Sequence, residues 1–134
     1  VNLRFLAKQL ALLLTVLGVA MGIVAGWGGL NAGFGAPDEA SAAWSLLAGA
    51  GFSAFLGLLC WLIGRKTTGF LDRREALLLV VLSWILAAIL GGIPYFMWAH
   101  ISGSADHVFR SPVASMFEAM SGLTTTGATV LGDI

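Results

Sequence analysis

The stretch Thr124-Thr125-Thr126-Gly127-Ala128-Thr129 holds the residue types whose spacing could do chemistry. β-Branched threonines favour extended backbone, and a glycine among them opens conformations that a side chain forbids. An extended strand presents backbone carbonyls, which can replace the water shell of a dehydrated cation without a fixed counter-charge that would trap it. The threonine hydroxyls would line the same path or tie the strand to neighbouring protein. An ordinary exposed loop can have this composition too, so the elements that position the segment decide its reading.

Those elements lie in a bilayer. The 134 residues are 58% hydrophobic and 10% charged, and the mean hydropathy is +0.92. Soluble domains carry charge on about 25% of their residues. A formal net charge of +0 without a block of like charge gives no sign of a nucleic-acid partner. Leu10 to Leu30, Ala42 to Gly64 and Ala76 to Ala99 are long runs without a charged side chain, each long enough for the roughly 20 helical residues that cross a hydrocarbon core. Three transmembrane helices are expected. Arg4 and Lys8 before a long apolar run also raise the possibility of a signal peptide, although its apolar region would be only about 7 to 15 residues.

Basic residues orient the helices. Arg4 and Lys8 precede the first, and Arg65, Lys66, Arg73 and Arg74 join the second to the third. The N-terminus and the 65–74 loop are therefore expected in the cytoplasm, and the 31–41 loop, with Pro37, Asp38 and Glu39, outside. Trp27, Trp44, Trp61 and Trp98 fall near span ends, where indole suits the headgroup region. Mid-span Trp84 reads as a packing residue, and Cys60, inside an apolar run, as structural. Small residues recur every four positions at Gly18, Gly22 and Gly26, at Ser45, Gly49, Ser53 and Gly57, and at Ser83, Ala87 and Gly91. Such stripes let helices approach closely. Pro94, after Gly91 and Gly92, is expected to kink the third helix.

The segment after the third helix differs in kind. Ser111-Pro112 is a helix start, with Ser as N-cap and Pro at the first helical position, and Gly122 is a natural stop. A helix over 112–122 would rise roughly 16 Å, half a bilayer core, so it enters without crossing. Entering from the outside, it would form a re-entrant loop whose irregular Thr/Gly strand must be buried in protein or line a water-filled cavity. Its C-terminal end carries partial negative charge, which favours a cation.

Glu118 is the only acid in this half-length helix, and a carboxylate at membrane depth is a functional candidate by default. It could hydrogen-bond backbone amides behind the strand or add negative field near an ion path. The alternatives are facing the outer vestibule and pairing with Arg110. Asp106 and Asp133 could lend negative potential to the outer mouth, though loop acids are usually only solvated. His100 and His107 have no identifiable partners for metal binding or pH sensing. No His/Asp/Ser constellation or paired intramembrane carboxylate suggests an enzyme, and no organic cofactor is implied.

The run Phe117-Glu118-Ala119-Met120-Ser121-Gly122-Leu123-Thr124-Thr125-Thr126-Gly127-Ala128-Thr129-Val130 resembles the first pore loop of the Trk/Ktr/HKT cation-transporter superfamily, and most closely that of bacterial Trk membrane subunits. Arg73-Arg74-Glu75-Ala76 and Gly91-Gly92-Ile93-Pro94-Tyr95-Phe96 resemble the start and outer end of that family's first pore-domain helix. The resemblance implies an all-α membrane protein with a partial potassium-channel-like fold: three transmembrane helices, a re-entrant pore helix and an extended filter segment. Residues 1–72 would be the two-helix hairpin that precedes the first repeat. Residues 73–134 would be that repeat, incomplete, with outer helix 76–99, pore helix 112–122 and filter 124–129.

By the same resemblance, potassium is the transported ion. Thr125, Thr126, Gly127 and Ala128 would supply filter carbonyls, with Thr124 at the inner end and Thr129 supporting the strand. The family implies a multi-pass protein of the cell (inner) membrane that contacts lipid, forms a homodimer and binds a cytosolic nucleotide-binding regulatory subunit. Because four repeats surround one ion path in the family, the chain reads as part of a longer protein that supplies one of four filter segments. The competing reading is a small structural or accessory membrane protein without a pore.

Overall fold

A computed structural model describes residues 2–32 and 37–132. Its helices are α1 (Leu3–Ala32), α2 (Pro37–Gly64), α3 (Arg73–Ile101) and α4 (Pro112–Leu123), with a 3₁₀ turn at Val108–Arg110 before α4. No strand occurs among the described residues. The first three helices are long and apolar enough to cross a membrane.

Each long helix extends past the uncharged run expected from sequence, and side-chain caps fix the starts of α1 and α3. At α1, the Asn2 side chain accepts from the Phe5 amide at 3.2 Å. At α3, Asp72 is the N-cap of a reciprocal capping box: its carboxylate takes helix amides while Glu75 accepts from the Asp72 amide at 3.3 Å. α3 stays helical through Pro94.

α1 and α2 form an antiparallel hairpin, traced by successive close approaches. A Cβ on Gly64 would lie 2.5 Å from the Arg4 carbonyl, one on Gly57 3.2 Å from Thr15 Oγ1, and one on Gly18 3.1 Å from the Ala50 carbonyl. The buried Ser45 and Ser53 hydroxyls donate to the carbonyls one turn back, at 2.7 and 2.9 Å, so neither presents an unpaired polar group to the interface. α3 joins through Pro94, whose ring would be 3.0 Å from a Cβ on Gly49.

The small-residue stripes are thus used selectively. Gly18, Gly49 and Gly57 mark close approaches, whereas a Cβ on Gly22 or Gly26 would meet nothing within 4 Å. Large apolar side chains such as Ile23, Phe55, Leu77 and Val81 point outward. This inverts the soluble pattern and suits helices held together by close packing in lipid. Trp84 lines a cleft between α1 and α3 but remains 43% exposed.

The start of α1, the end of α2 and the start of α3 meet at one end. The Asn2 amide donates to Glu75 Oε1 at 2.5 Å, and Lys8 Nζ donates to the Thr67 carbonyl at 3.3 Å. Arg4, Lys8, Arg65, Lys66, Arg73 and Arg74 therefore share that end. The turn into α4 lies at the other.

Candidate functional site

The site is built on the C-terminal half of α3. The chain leaves the helix through a tight turn in which the Ser102 and Gly103 amides both donate to the Trp98 carbonyl, at 2.9 and 3.3 Å. A Cβ on Gly103 would sit 2.6 Å from the Ala99 carbonyl, so the turn requires glycine. An aromatic cluster then carries the chain back along α3: Trp98 meets His107 at 5.1 Å between ring centroids, and Tyr95 meets Phe109 at 5.1 Å. Both histidines are engaged locally. His107 Nδ1 accepts from the Phe109 amide at 3.2 Å, and His100 Nδ1 contacts the Phe96 carbonyl at 2.8 Å.

α4 starts at Ser111 and Pro112 as the sequence suggests. The buried Ser115 hydroxyl donates to the Phe109 carbonyl at 2.9 Å, locking the helix to its entry turn. The helix then lies directly against glycines of α3. A Cβ on Gly92 would be 3.1 Å from the Met116 amide nitrogen, and one on Gly91 3.1 Å from the Ala119 Cβ. Contacts that progress from Trp98 with His107 through Tyr95 with Phe109 to Gly92 with Met116 show that α4 runs back down α3. Its 12 residues rise about 18 Å. α3 and the 3₁₀ turn hold it in place. An apolar cleft of about 600 Å³, lined in part by Met21, Leu46, Tyr95 and Leu123, opens between α4 and the hairpin. With that lining it is a gap between helices rather than a cation route.

α4 ends one residue later than expected, at Leu123, and Gly122 is not its stop. The Thr126 amide donates to the Ser121 carbonyl at 3.0 Å and the Thr125 amide to the Gly122 carbonyl at 3.2 Å. This bond pair is a Schellman motif, which places Thr125 at the position beyond the cap that glycine usually occupies. Thr125 has φ +54° and Gly127 has φ +72°. A β-branched residue in the left-handed region is a strained outlier, costing on the order of 1–2 kcal/mol. Thr124, at φ −88°, precedes this pair.

Glu118 reaches the chain beyond the Thr/Gly segment. Its Oε2 accepts from the Val130 amide at 3.1 Å and from Thr129 Oγ1 at 3.2 Å. Thr129 Oγ1 in turn accepts from the Leu131 amide at 3.1 Å. Arg110, the alternative partner considered for Glu118, instead donates from Nε to the Ser104 carbonyl at 3.1 Å. At the other end of the segment, Thr124 Oγ1 donates to the Met120 carbonyl at 2.8 Å and lies 2.7 Å from Thr126 Oγ1. The segment is thus fixed at both ends while residues 124–129 are exposed. Asp133 lies outside the described residues, as does the middle of the 31–41 loop. Among the described residues no cluster of His, Cys, Asp and Glu could hold a metal ion.

The amino-acid sequence of the chain has relatives among known proteins. The chain is 36% identical over 77 residues to the Trk system potassium uptake protein TrkH of Vibrio parahaemolyticus, covering 58% of this chain and 14% of that protein. It is 37% identical over 76 residues to TrkH of Escherichia coli, covering 57% and 14%, and 34% identical over 84 residues to TrkH of Halomonas elongata, covering 63% and 16%. Its relatives are Trk-system potassium uptake proteins. TrkG of Escherichia coli is another, at 32% identity over 74 residues. The chain spans about a seventh of the length of the first of these Trk proteins. No family model and no solved structure matches it.

Proposed function

We propose that this chain supplies the first of four selectivity-filter segments of a potassium-uptake transporter. α4 acts as a re-entrant pore helix, and residues 124–129 as its filter. The observation that carries this reading is an exposed, non-regular Thr/Gly segment with positive φ at Thr125 and Gly127, directly beyond a helix too short to cross a bilayer. Carbonyls of Thr124, Thr125, Thr126, Gly127 and Ala128 would replace the water shell of potassium. Glu118 and Thr129 act from behind, holding the chain that follows the segment rather than the ion.

The positive-inside rule puts the basic end of the bundle in the cytoplasm, so α4 enters from outside and its negative C-terminal end faces the middle of the membrane. Exposure of residues 124–129 supports the need for further protein, because irregular backbone at membrane depth must be covered or line a water-filled path. The remaining pore repeats would enclose that path. A second copy and a cytosolic nucleotide-binding regulatory subunit are the further partners of this reading, with the cell inner membrane as the location.

The test is potassium uptake by the full-length protein in cells lacking other uptake systems. A side chain at Gly127 meets nothing within 4 Å, so Gly127→Ala and Gly127→Ser act through φ rather than through a clash. At about 1–2 kcal/mol of strain, uptake or selectivity for potassium over sodium should fall roughly 5- to 30-fold. Parental uptake and selectivity in both variants, at equal expression, would sink the filter assignment.

A further inference from the structure

Six of the seven Lys and Arg residues in the chain gather at one end, and the connection there contains the most exposed large apolar side chain of the described residues. Phe70 is 99% exposed. Its segment is tethered on both sides: the Thr67 amide donates to the Gly64 carbonyl at 3.0 Å, Lys8 Nζ holds the Thr67 carbonyl, and Asp72 is fixed by its capping box. The ring is therefore presented outward by a braced turn.

Around it, Arg65, Lys66, Arg73 and Arg74 are exposed. The neighbouring carboxylates are already used, Asp72 in capping α3 and Glu75 in holding the Asn2 and Asp72 amides. Among the described residues, no carboxylate pairs with Lys66, Arg73 or Arg74. Arg65 lies over the Trp61 ring at 5.8 Å, which places an exposed indole and a guanidinium together at the end of a membrane span.

We propose that the 65–74 turn is a binding site for anionic phospholipid, with phosphodiester headgroups held by Arg65, Lys66, Arg73 and Arg74 and the Phe70 ring inserted at the acyl boundary. Geometry commits the site to lipid. Phe70 is three residues from the start of α3, so its Cα lies within about 10 Å of a membrane helix on either conformational extreme. The headgroup layer is itself about 5–7 Å thick. A fully exposed phenylalanine at that depth has an apolar surface within reach, and the unpaired cations have the matching charge. The site does not depend on the ion-path reading, and its test makes no use of transport.

The full-length protein in detergent is titrated with dioleoylphosphatidylglycerol or dioleoylphosphatidylcholine and read by native mass spectrometry. The parent should retain phosphatidylglycerol preferentially. In R65Q/K66Q/R73Q/R74Q that preference should fall roughly fivefold per charge removed, while Arg→Lys changes at positions 65, 73 and 74 should preserve it and R110Q should leave it unchanged. In parallel, p-benzoylphenylalanine placed at position 70 in native membranes should yield lipid adducts on irradiation. Equal retention of the two lipids by the parent, or an unchanged preference in the Gln variant, overturns the proposal. So do adducts at position 70 that are protein rather than lipid, since they would make this turn a protein-docking surface.

Discussion

Replacing Glu118 should release the chain on the far side of the candidate filter while leaving α4 folded. Two hydrogen bonds end on its Oε2, from the Val130 amide at 3.1 Å and from Thr129 Oγ1 at 3.2 Å. Bonds to a charged acceptor contribute about 1.5–3 kcal/mol each, and ordinary ones about 0.5–1.5. Because this pair is part-exposed, about 1–1.5 kcal/mol each is the appropriate range, or roughly 2–3 kcal/mol together. At about 1.4 kcal/mol per decade, Glu118→Ala should accelerate amide hydrogen exchange of residues 129–131 roughly 30- to 150-fold in the full-length protein. Glu118→Gln, which keeps an acceptor oxygen but no charge, should fall between parent and Ala. Thr129→Val removes one of the two bonds, and a double-mutant cycle with Glu118→Ala should show coupling of about 0.5 kcal/mol or more. Exchange unchanged in Glu118→Ala, or strict additivity in the cycle, would refute the carboxylate tie.

Three further outcomes follow from the geometry. Gly92→Ala should weaken docking of α4, because the new Cβ would lie 3.1–3.2 Å from the Met116 and Ser115 backbone; Gly22→Ala, facing open space, should be neutral or stabilise α1 by about 0.5–1 kcal/mol, both read as thermal stability in detergent. Thr125→Gly should relieve left-handed strain of about 1–2 kcal/mol, detectable as slower amide exchange in the last turn of α4, with faster exchange there counting against the Schellman assignment. Asp72→Ala should lower thermal stability by about 0.5–2 kcal/mol through loss of the α3 cap, and Asp72→Asn, which retains a capping oxygen, should recover most of it.

The sequence by itself determined the three long helices, since nothing else satisfies the backbone of uncharged runs this long in lipid. It also determined the start of the short helix at Ser111-Pro112 and the segment whose carbonyls are the candidate ligands. Reading small residues at fixed spacing as one stripe was too coarse: Gly18 and Gly22 have the same type and periodicity, but only Gly18 meets a neighbouring backbone. The end of α4 was misplaced by one residue, because Gly122 carries the usual stop signal while Thr125 takes the left-handed conformation. That choice is made by which carbonyls the Thr125 and Thr126 amides reach. Only tertiary structure decided between the roles considered for Glu118. The residue type allowed a pairing with Arg110 or a tie to backbone amides, and the choice depended on how the chain reverses beyond Thr125. That reversal brings a carboxylate within hydrogen-bonding distance of an amide 12 residues further along the chain, a proximity that no local pattern encodes.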